Sequence, residues 1–329
     1  MPNRGKIALV VAGGELCTRW GSKKDGQPTE VSAEEMLQWL PEEITQDVHL
    51  VNWSYQASSH YTIRMTSDLM GVMAKLVVDG IQGIVVTCGS DTVDEMSYLA
   101  DLTWAYPQPV IFTGAVHPSN VMGSDAVINL YQAFLAARSQ ACWGAGVLIC
   151  FQDKIFAASE VSLVNNHRRD CLVAVDRGPI GEIVCDDVIL RRAPKRGKTL
   201  EGVTPAKNVE LVQASLGGGE RLLASLLSSP EDLPDGVVLG AFGNGNVFPG
   251  WLPSIKGLIK SEVPVLLTSR CPSGRVLPSS NIEGSAQRLL EIGVLDGGDL
   301  SPLKGRLKLA VAVGAGLSGD ELQEYIIYK

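Results

Sequence analysis

Short apolar runs of strand length alternate along this chain with longer stretches of helical period, the pattern of βαβ units around a mostly parallel sheet. Buried strands are predicted at 6–12 (KIALVVA), 47–53 (DVHLVNW), 83–87 (GIVVT), 109–113 (PVIFT) and 146–151 (GVLICF), each apolar throughout, as strands covered on both faces are. Between them, Leu69, Met70, Met73, Leu76 and Val77 share one helical face, and 93–104 and 122–138 repeat with the same period. A second, shorter series follows, with strands at 209–213, 236–242 and 264–268, helices near 218–228 and 251–260, and further helices beyond Ser301.

The stretch 191–208, RRAPKRGKTLEGVTPAKN, is basic, rich in Gly and Pro and poor in apolar residues, and reads as a linker. It divides the chain into a large N-terminal doubly wound α/β domain (1–190) and a smaller C-terminal α/β domain (209–329). A length of 329 residues with 45% hydrophobic content fits two cores better than one.

Charge and cysteine usage narrow the partners. A net charge of -8, with no dense Lys/Arg block beyond 191–198, offers no footprint for nucleic acid or an anionic membrane. No run approaches the roughly 18 apolar residues of a membrane span, and the apolar start of the chain is too short for a signal peptide. Seven scattered cysteines without CxxC spacing argue against a disulfide framework or a structural zinc site and for a reducing, cytoplasmic setting. GNGN (243–246) with Gly240 is an incomplete dinucleotide fingerprint, so no cofactor and no metal are expected.

In open α/β sheets the ligand lies beyond the carboxyl ends of the strands. Four strand ends carry chemistry: Gly13-Gly14-Glu15, followed by a polar loop to Pro28 with glycines at 21 and 26 that reads as a lid; Ala57-Ser58-Ser59-His60; Cys88-Gly89-Ser90-Asp91-Thr92; and Gly114-Ala115-Val116-His117-Pro118. Ser90-Asp91-Thr92 is also what a helix N-cap looks like. Thr18 and Cys17 are spare lid nucleophiles, the Cys88 thiol near a helix start is a candidate for activation, and His60 and His117 are candidate acid–base groups. For each of these, an ordinary loop or core role is the competing reading.

The segment 87–137 (TCGSDTVDEMSYLADLTWAYPQPVIFTGAVHPSNVMGSDAVINLYQAFLAA) resembles the region of bacterial-type L-asparaginases that carries the HGTDT motif, the GA-x-RP loop and the NLYNA helix. AGGE (12–15) stands against that family's TGGT, Ser58-Ser59 against its substrate-binding serine segment, and GNGN and SRCPSG (269–274) match its small domain. The resemblance implies an asparaginase-like fold, a small-molecule substrate, and a homodimer or homotetramer with shared sites. It implies that Ser90 and Asp91 correspond to the second threonine and its aspartate, that Ser58 or Ser59, with Gly89, binds substrate, and that Asn246 reaches a neighbouring subunit's site.

Where the family keeps a nucleophilic threonine this chain has Glu15; its lysine aligns with Gln140, the HGTDT histidine with Cys88, and a small-domain glutamate near Asn281, with Glu283 close by. A hydroxyl nucleophile needs an adjacent base or a lowered pKa. The expectation is therefore a re-tasked site in which Glu15 and Asp91 perform acid–base chemistry, such as cyclisation, elimination or isomerisation in specialised biosynthesis. Two alternatives stay open. One is an amidohydrolase using Ser90 or a lid hydroxyl; the other is a non-catalytic binding protein in which Glu15 pairs with Arg19 or a lid lysine.

Overall fold

A computed structural model describes residues 5–21, 28–194 and 196–327. The chain forms two compact units, Met1–Thr199 and Leu200–Lys329, whose boundary falls inside the basic 191–208 stretch.

The N-terminal unit begins with β1 (Ile7–Ala12), a single 3-10 turn at Glu15–Cys17, the short strands β2 (Thr18–Arg19) and β3 (Thr29–Glu30), and the helices α1 (Ala33–Leu37) and α2 (Glu42–Thr45). Then come β4 (Val48–Ser54), α3 (Ile63–Val78), β5 (Gly83–Cys88), α4 (Val93–Thr103), β6 (Val110–Thr113), α5 (Ala126–Arg138) and β7 (Val147–Phe151). The unit closes with β8 (Lys154–Ala157), β9 (Ser162–Leu163), β10 (Leu172–Val173), β11 (Gly181–Val184) and β12 (Asp187–Leu190). Eight strands make one sheet in the order β12-β11-β8-β7-β6-β5-β1-β4. From β4 to β7 the neighbours run parallel; β8, β11 and β12 extend the sheet antiparallel.

Alternation along β1 feeds two cores. Ile7, Leu9 and Val11 pack with Leu16, Met36, Leu130 and Phe134 on one face. Ala8, Val10 and Ala12 pack with Leu69, Met73, Phe112 and Phe151 on the other. Such two-sided burial requires apolar residues at every position, and β1 and β5 have none exposed. β4 departs from the pattern expected for 47–53: it is the sheet's edge strand and only half-buried. The antiparallel extension after β7 was not visible as a strand series, because β8 to β12 are only two to four residues long.

The basic stretch is less of a linker than its composition suggests. Arg192 binds the nearly buried Glu160 with both guanidinium nitrogens. Arg196 donates to the Asp101 carboxylate at 3.1 Å and to the Asp101 and Trp104 carbonyls. The glycine and proline content remains, but these arginines fasten the start of the stretch to the N-terminal unit.

The C-terminal unit carries β13 (Val209–Gln213), α6 (Glu220–Ser225), β14 (Gly236–Ala241), α7 (Leu252–Lys260), β15 (Val265–Ser269), α8 (Ala286–Glu291), β16 (Leu295–Asp296), α9 (Pro302–Gly314) and α10 (Gly319–Ile327). Its four strands pair in parallel in chain order around a core centred on Leu239, Trp251, Leu258 and Leu267. No helix among the described residues is long and apolar enough to cross a membrane.

Candidate active site

In the N-terminal sheet β1 lies between β4 and β5, so the chain leaves β1 for one side and later returns on the other. This is the switch point at which open α/β sheets hold ligands. A cavity of about 610 Å³ opens there, lined by Gly14, Glu15, Thr18, Trp20, Gly21, Pro28, Tyr55, Gln56, Ala57, Ser58, Gly89, Ser90 and Asp91.

Glycines let the three strand ends converge. A Cβ on Gly13 would stand 2.2 Å from the Gln56 carbonyl oxygen, and one on Gly14 would stand 2.5 Å from the Gly89 nitrogen. Both residues also have positive φ, at 77° and 90°, which an L side chain resists. The two together turn the chain sharply off β1 and place Glu15 at the cavity wall.

Glu15 is half-buried, and its Oε2 accepts a hydrogen bond from the Trp20 indole Nε1 at 3.1 Å. Its pKa is raised above the ordinary glutamate value. Loss of hydration is the main cause, the Trp20 hydrogen bond opposes it, the Asp91 charge adds to it, and the His117 charge works against it. The Arg19 pairing is not found: Arg19 binds Glu35 at the start of α1 instead. The lid lysines Lys23 and Lys24, and the glycine at 26, lie outside the described residues. What is described of the lid is anchored. β2 pairs with β3, and Asn120 clamps the Trp20 backbone by accepting from its N–H at 3.2 Å and donating to its carbonyl at 2.8 Å.

Ser90 and Asp91 line the cavity just before α4. Of the three candidate capping residues Thr92 takes the N-cap position, but its side chain makes no cap hydrogen bond to α4. Thr92 instead donates its hydroxyl to the Ser58 carbonyl at 3.2 Å, tying the β4 and β5 loops together. Ser58 is 5% exposed and reaches the cavity, and neither its hydroxyl nor that of Ser90 has a hydrogen-bond partner among the described residues. Gly89 makes room for it: a Cβ there would meet Ser58 Oγ at 2.4 Å. Ser59 and His60 are exposed and outside the lining.

The remaining candidates divide. Thr18 lines the cavity, its hydroxyl donating to the Gly14 carbonyl at 3.0 Å. Cys88 is corrected: its thiol is fully buried against Met96, and loss of hydration pushes its pKa up to about 12, so it is not activated. Cys17 is corrected in the same way, being buried and pushed up to about 12. His117 stays outside the lining residues, with its Nδ1 3.9 Å from Asp125 Oδ1 and without a hydrogen-bond partner. Asn246 belongs to the C-terminal unit, where its backbone bonds with Phe242 in both directions.

Gln140, aligned with the family's lysine, is not among the cavity's lining residues. It is exposed, beyond the last turn of α5, a helix that starts on the cavity side and runs back about 20 Å along the sheet. β9 reaches the first turn of α4, where the Leu163 amide donates to Asp94 Oδ2 at 3.0 Å. No lysine or arginine is among the described residues lining the cavity.

Sequence reasoning missed Trp20, Tyr55 and Gln56. Tyr55 and Gln56 follow β4 directly, so the strand-end rule already covered them. Trp20 had no such signal, because the 3-10 turn at Glu15–Cys17 is what returns it to Glu15.

The N-terminal unit is a doubly wound α/β unit with its cavity at the sheet's switch point. Residues 6–196 match the asparaginase N-terminal family model, and 208–326 the glutaminase/asparaginase C-terminal domain. The chain belongs to the asparaginase family. It is 28% identical over 314 residues to the L-asparaginase of Bacillus licheniformis, covering 94% of this chain and 96% of the relative. It is 30% identical over 271 residues to a Deinococcus radiodurans protein named Probable L-asparaginase, covering 81% of each. The crystal structure of the Probable Cytoplasmic L-asparaginase from Campylobacter jejuni superposes with a TM-score of 0.89 over 99% of this chain and 100% of that one, at 24% identity, which establishes the shared fold.

Proposed function

We propose that this asparaginase-family chain is an enzyme with a re-tasked site, in which Glu15 and Asp91 perform acid–base chemistry on a small carboxylate- or amide-bearing metabolite. The observation that carries this is Glu15 itself, a carboxyl group with a raised pKa facing Asp91 in one cavity. Two carboxyl groups in one cavity, one of them with its proton affinity raised, can act as acid and base in one turnover. Protonated Glu15 gives its proton to a substrate oxygen or nitrogen while Asp91 accepts one from carbon or a heteroatom. The two protons balance, as cyclisation, elimination and isomerisation require. Such transfer contributes roughly 10²–10⁴-fold to rate. Ser58 and Ser90 hydroxyls and the Gly89 backbone are the substrate-binding groups in this reading.

A second reading, amide hydrolysis, is favoured by the relatives named L-asparaginase over nearly the full chain. There Ser90 Oγ attacks the amide carbonyl, a carboxylate takes its proton and passes it to the nitrogen that leaves as ammonia, and water then releases the acyl group as an acid and restores the hydroxyl. Assaying the protein for ammonia release across small amides, alongside a metabolite screen for turnover, separates the two. The re-tasked reading expects turnover without ammonia, lost in Glu15→Ala; ammonia release independent of Glu15 contradicts it.

A cytoplasmic location is part of the same proposal, supported by seven unpaired cysteines and by the wording given to the Campylobacter jejuni structure. So is a homo-oligomer, supported by exposed apolar side chains at Met122, Val127 and Ile128, with sedimentation as its test.

A further inference from the structure

Among the described lining residues the charge is unbalanced. Glu15 and Asp91 both line it, and no lysine or arginine stands among its described lining residues to offset them. Arg19, the nearest cation in sequence, is engaged by Glu35. Trp20 and Tyr55 line the same cavity and bring aromatic faces of the kind that attract cations. Ser58, nineteen-twentieths buried and with no hydrogen bond to its hydroxyl among the described residues, supplies a polar anchor for a ligand in the same cavity.

We propose that the ligand carries a cationic group, a primary ammonium or a guanidinium, at the end that meets Glu15, in place of the neutral amide an asparagine would present there. The proposal rests on the reading of this cavity as the ligand site. Its readout is binding, so it stands or falls separately from the acid–base mechanism.

Two like charges in one cavity are relieved either by a proton or by a bound cation. Glu15 is half-buried and Asp91 exposed, and the Asp91 charge adds to the loss of hydration that raises the proton affinity of Glu15. A cationic ligand relieves the same repulsion and displaces the proton. The groups acting on Glu15 are Asp91 before α4, the Trp20 indole at the end of β2 and His117 after β6, with the first favouring the protonated form and the other two the ionised one. Because the free carboxyl keeps its proton above the ordinary glutamate range, cation binding tightens as pH rises through that window and releases protons within it.

Titration calorimetry with agmatine, 1,4-diaminobutane, L-asparagine and succinate tests this, run between pH 5 and 7 in two buffers of different ionisation heat. The expected result is that the two cations bind at least about tenfold tighter than L-asparagine, with proton release. Glu15→Gln, which keeps the side-chain shape, weakens cation binding about tenfold or more and abolishes proton release, with its melting temperature recorded to confirm folding. Tighter binding of succinate or L-asparagine, cation binding unchanged in Glu15→Gln, or no binding of either cation at millimolar concentration overturns the proposal.

Discussion

Gly89→Ala isolates the packing that presents Ser58 to the cavity. The backbone at Gly89 lies outside the positive-φ region, so the substitution acts through space alone. The added Cβ would lie 2.4 Å from Ser58 Oγ, 2.7 Å from Ser58 Cβ and 3.3 Å from Gly14 Cα. Ordinary contacts between heavy atoms begin near 3.5 Å, so Ser58 has to retreat by about 1 Å. It is not free to do so: its carbonyl accepts from the Thr92 hydroxyl at 3.2 Å and from the Tyr61 amide at 3.1 Å. Overpacking of this kind costs about 1–3 kcal/mol. For a unit of this size each kcal/mol lowers the melting temperature by about 2–4 °C. Displacing a ligand anchor by about 1 Å lowers function about 10²-fold. Calorimetric melting and ligand titration measure both effects. Gly71→Ala is the control, lying within α3 with nothing within 4 Å of its added Cβ, and it is expected to stabilise by about 0.4–1 kcal/mol. A Gly89→Ala protein that melts and binds as the parent does would refute the argument that Gly89 is needed to seat Ser58.

Three further outcomes follow from the same geometry. In Trp20→Phe the carboxyl of Glu15 loses the hydrogen bond that favours its ionised form, so its titration midpoint, followed by carbon NMR, moves to higher pH; no movement, or movement downward, contradicts the Trp20 link. In the folded protein at pH 8, Cys185 and Cys271 react quickly with a chromogenic disulfide while Cys17, Cys88, Cys142 and Cys150 do not, because the latter are buried thiols held well above their usual pKa; fast labelling of Cys88 would reopen its catalytic candidacy. Arg196→Ala removes the guanidinium from a carboxylate only 10% exposed that also accepts from the Val147 amide, and destabilises the N-terminal unit by about 1–3 kcal/mol in denaturant unfolding, whereas a flexible linker residue would change little.

The long buried strands were legible because two-sided burial leaves an unbroken apolar signature, as in Ile7–Ala12 and Gly83–Cys88. The short strands from Lys154 to Leu190 were not, since two to four residues hold too little period to read. Much of the candidate site was legible by one topological rule, that ligands lie beyond strand ends, which placed Glu15, Ser58, Ser90 and Asp91 at one cavity. That rule says nothing about which groups are engaged elsewhere. Arg19 is held by Glu35, and Thr92 is directed to Ser58 rather than to its own helix. The position of Gln140 shows the limit of motif alignment. It aligns with the family's lysine, yet the direction of α5 carries it away from the cavity.

In the proposed function Glu15 marks a re-tasked site rather than a single lost nucleophile. Ammonia release from L-asparagine, measured side by side for the parent protein and Glu15→Thr, tests it most directly. With no lysine or arginine among the described lining residues, neither protein is expected to release ammonia above background. Asparagine turnover by the parent near the roughly 10 s⁻¹ of an ordinary enzyme, or its appearance in Glu15→Thr alone, would contradict the claim.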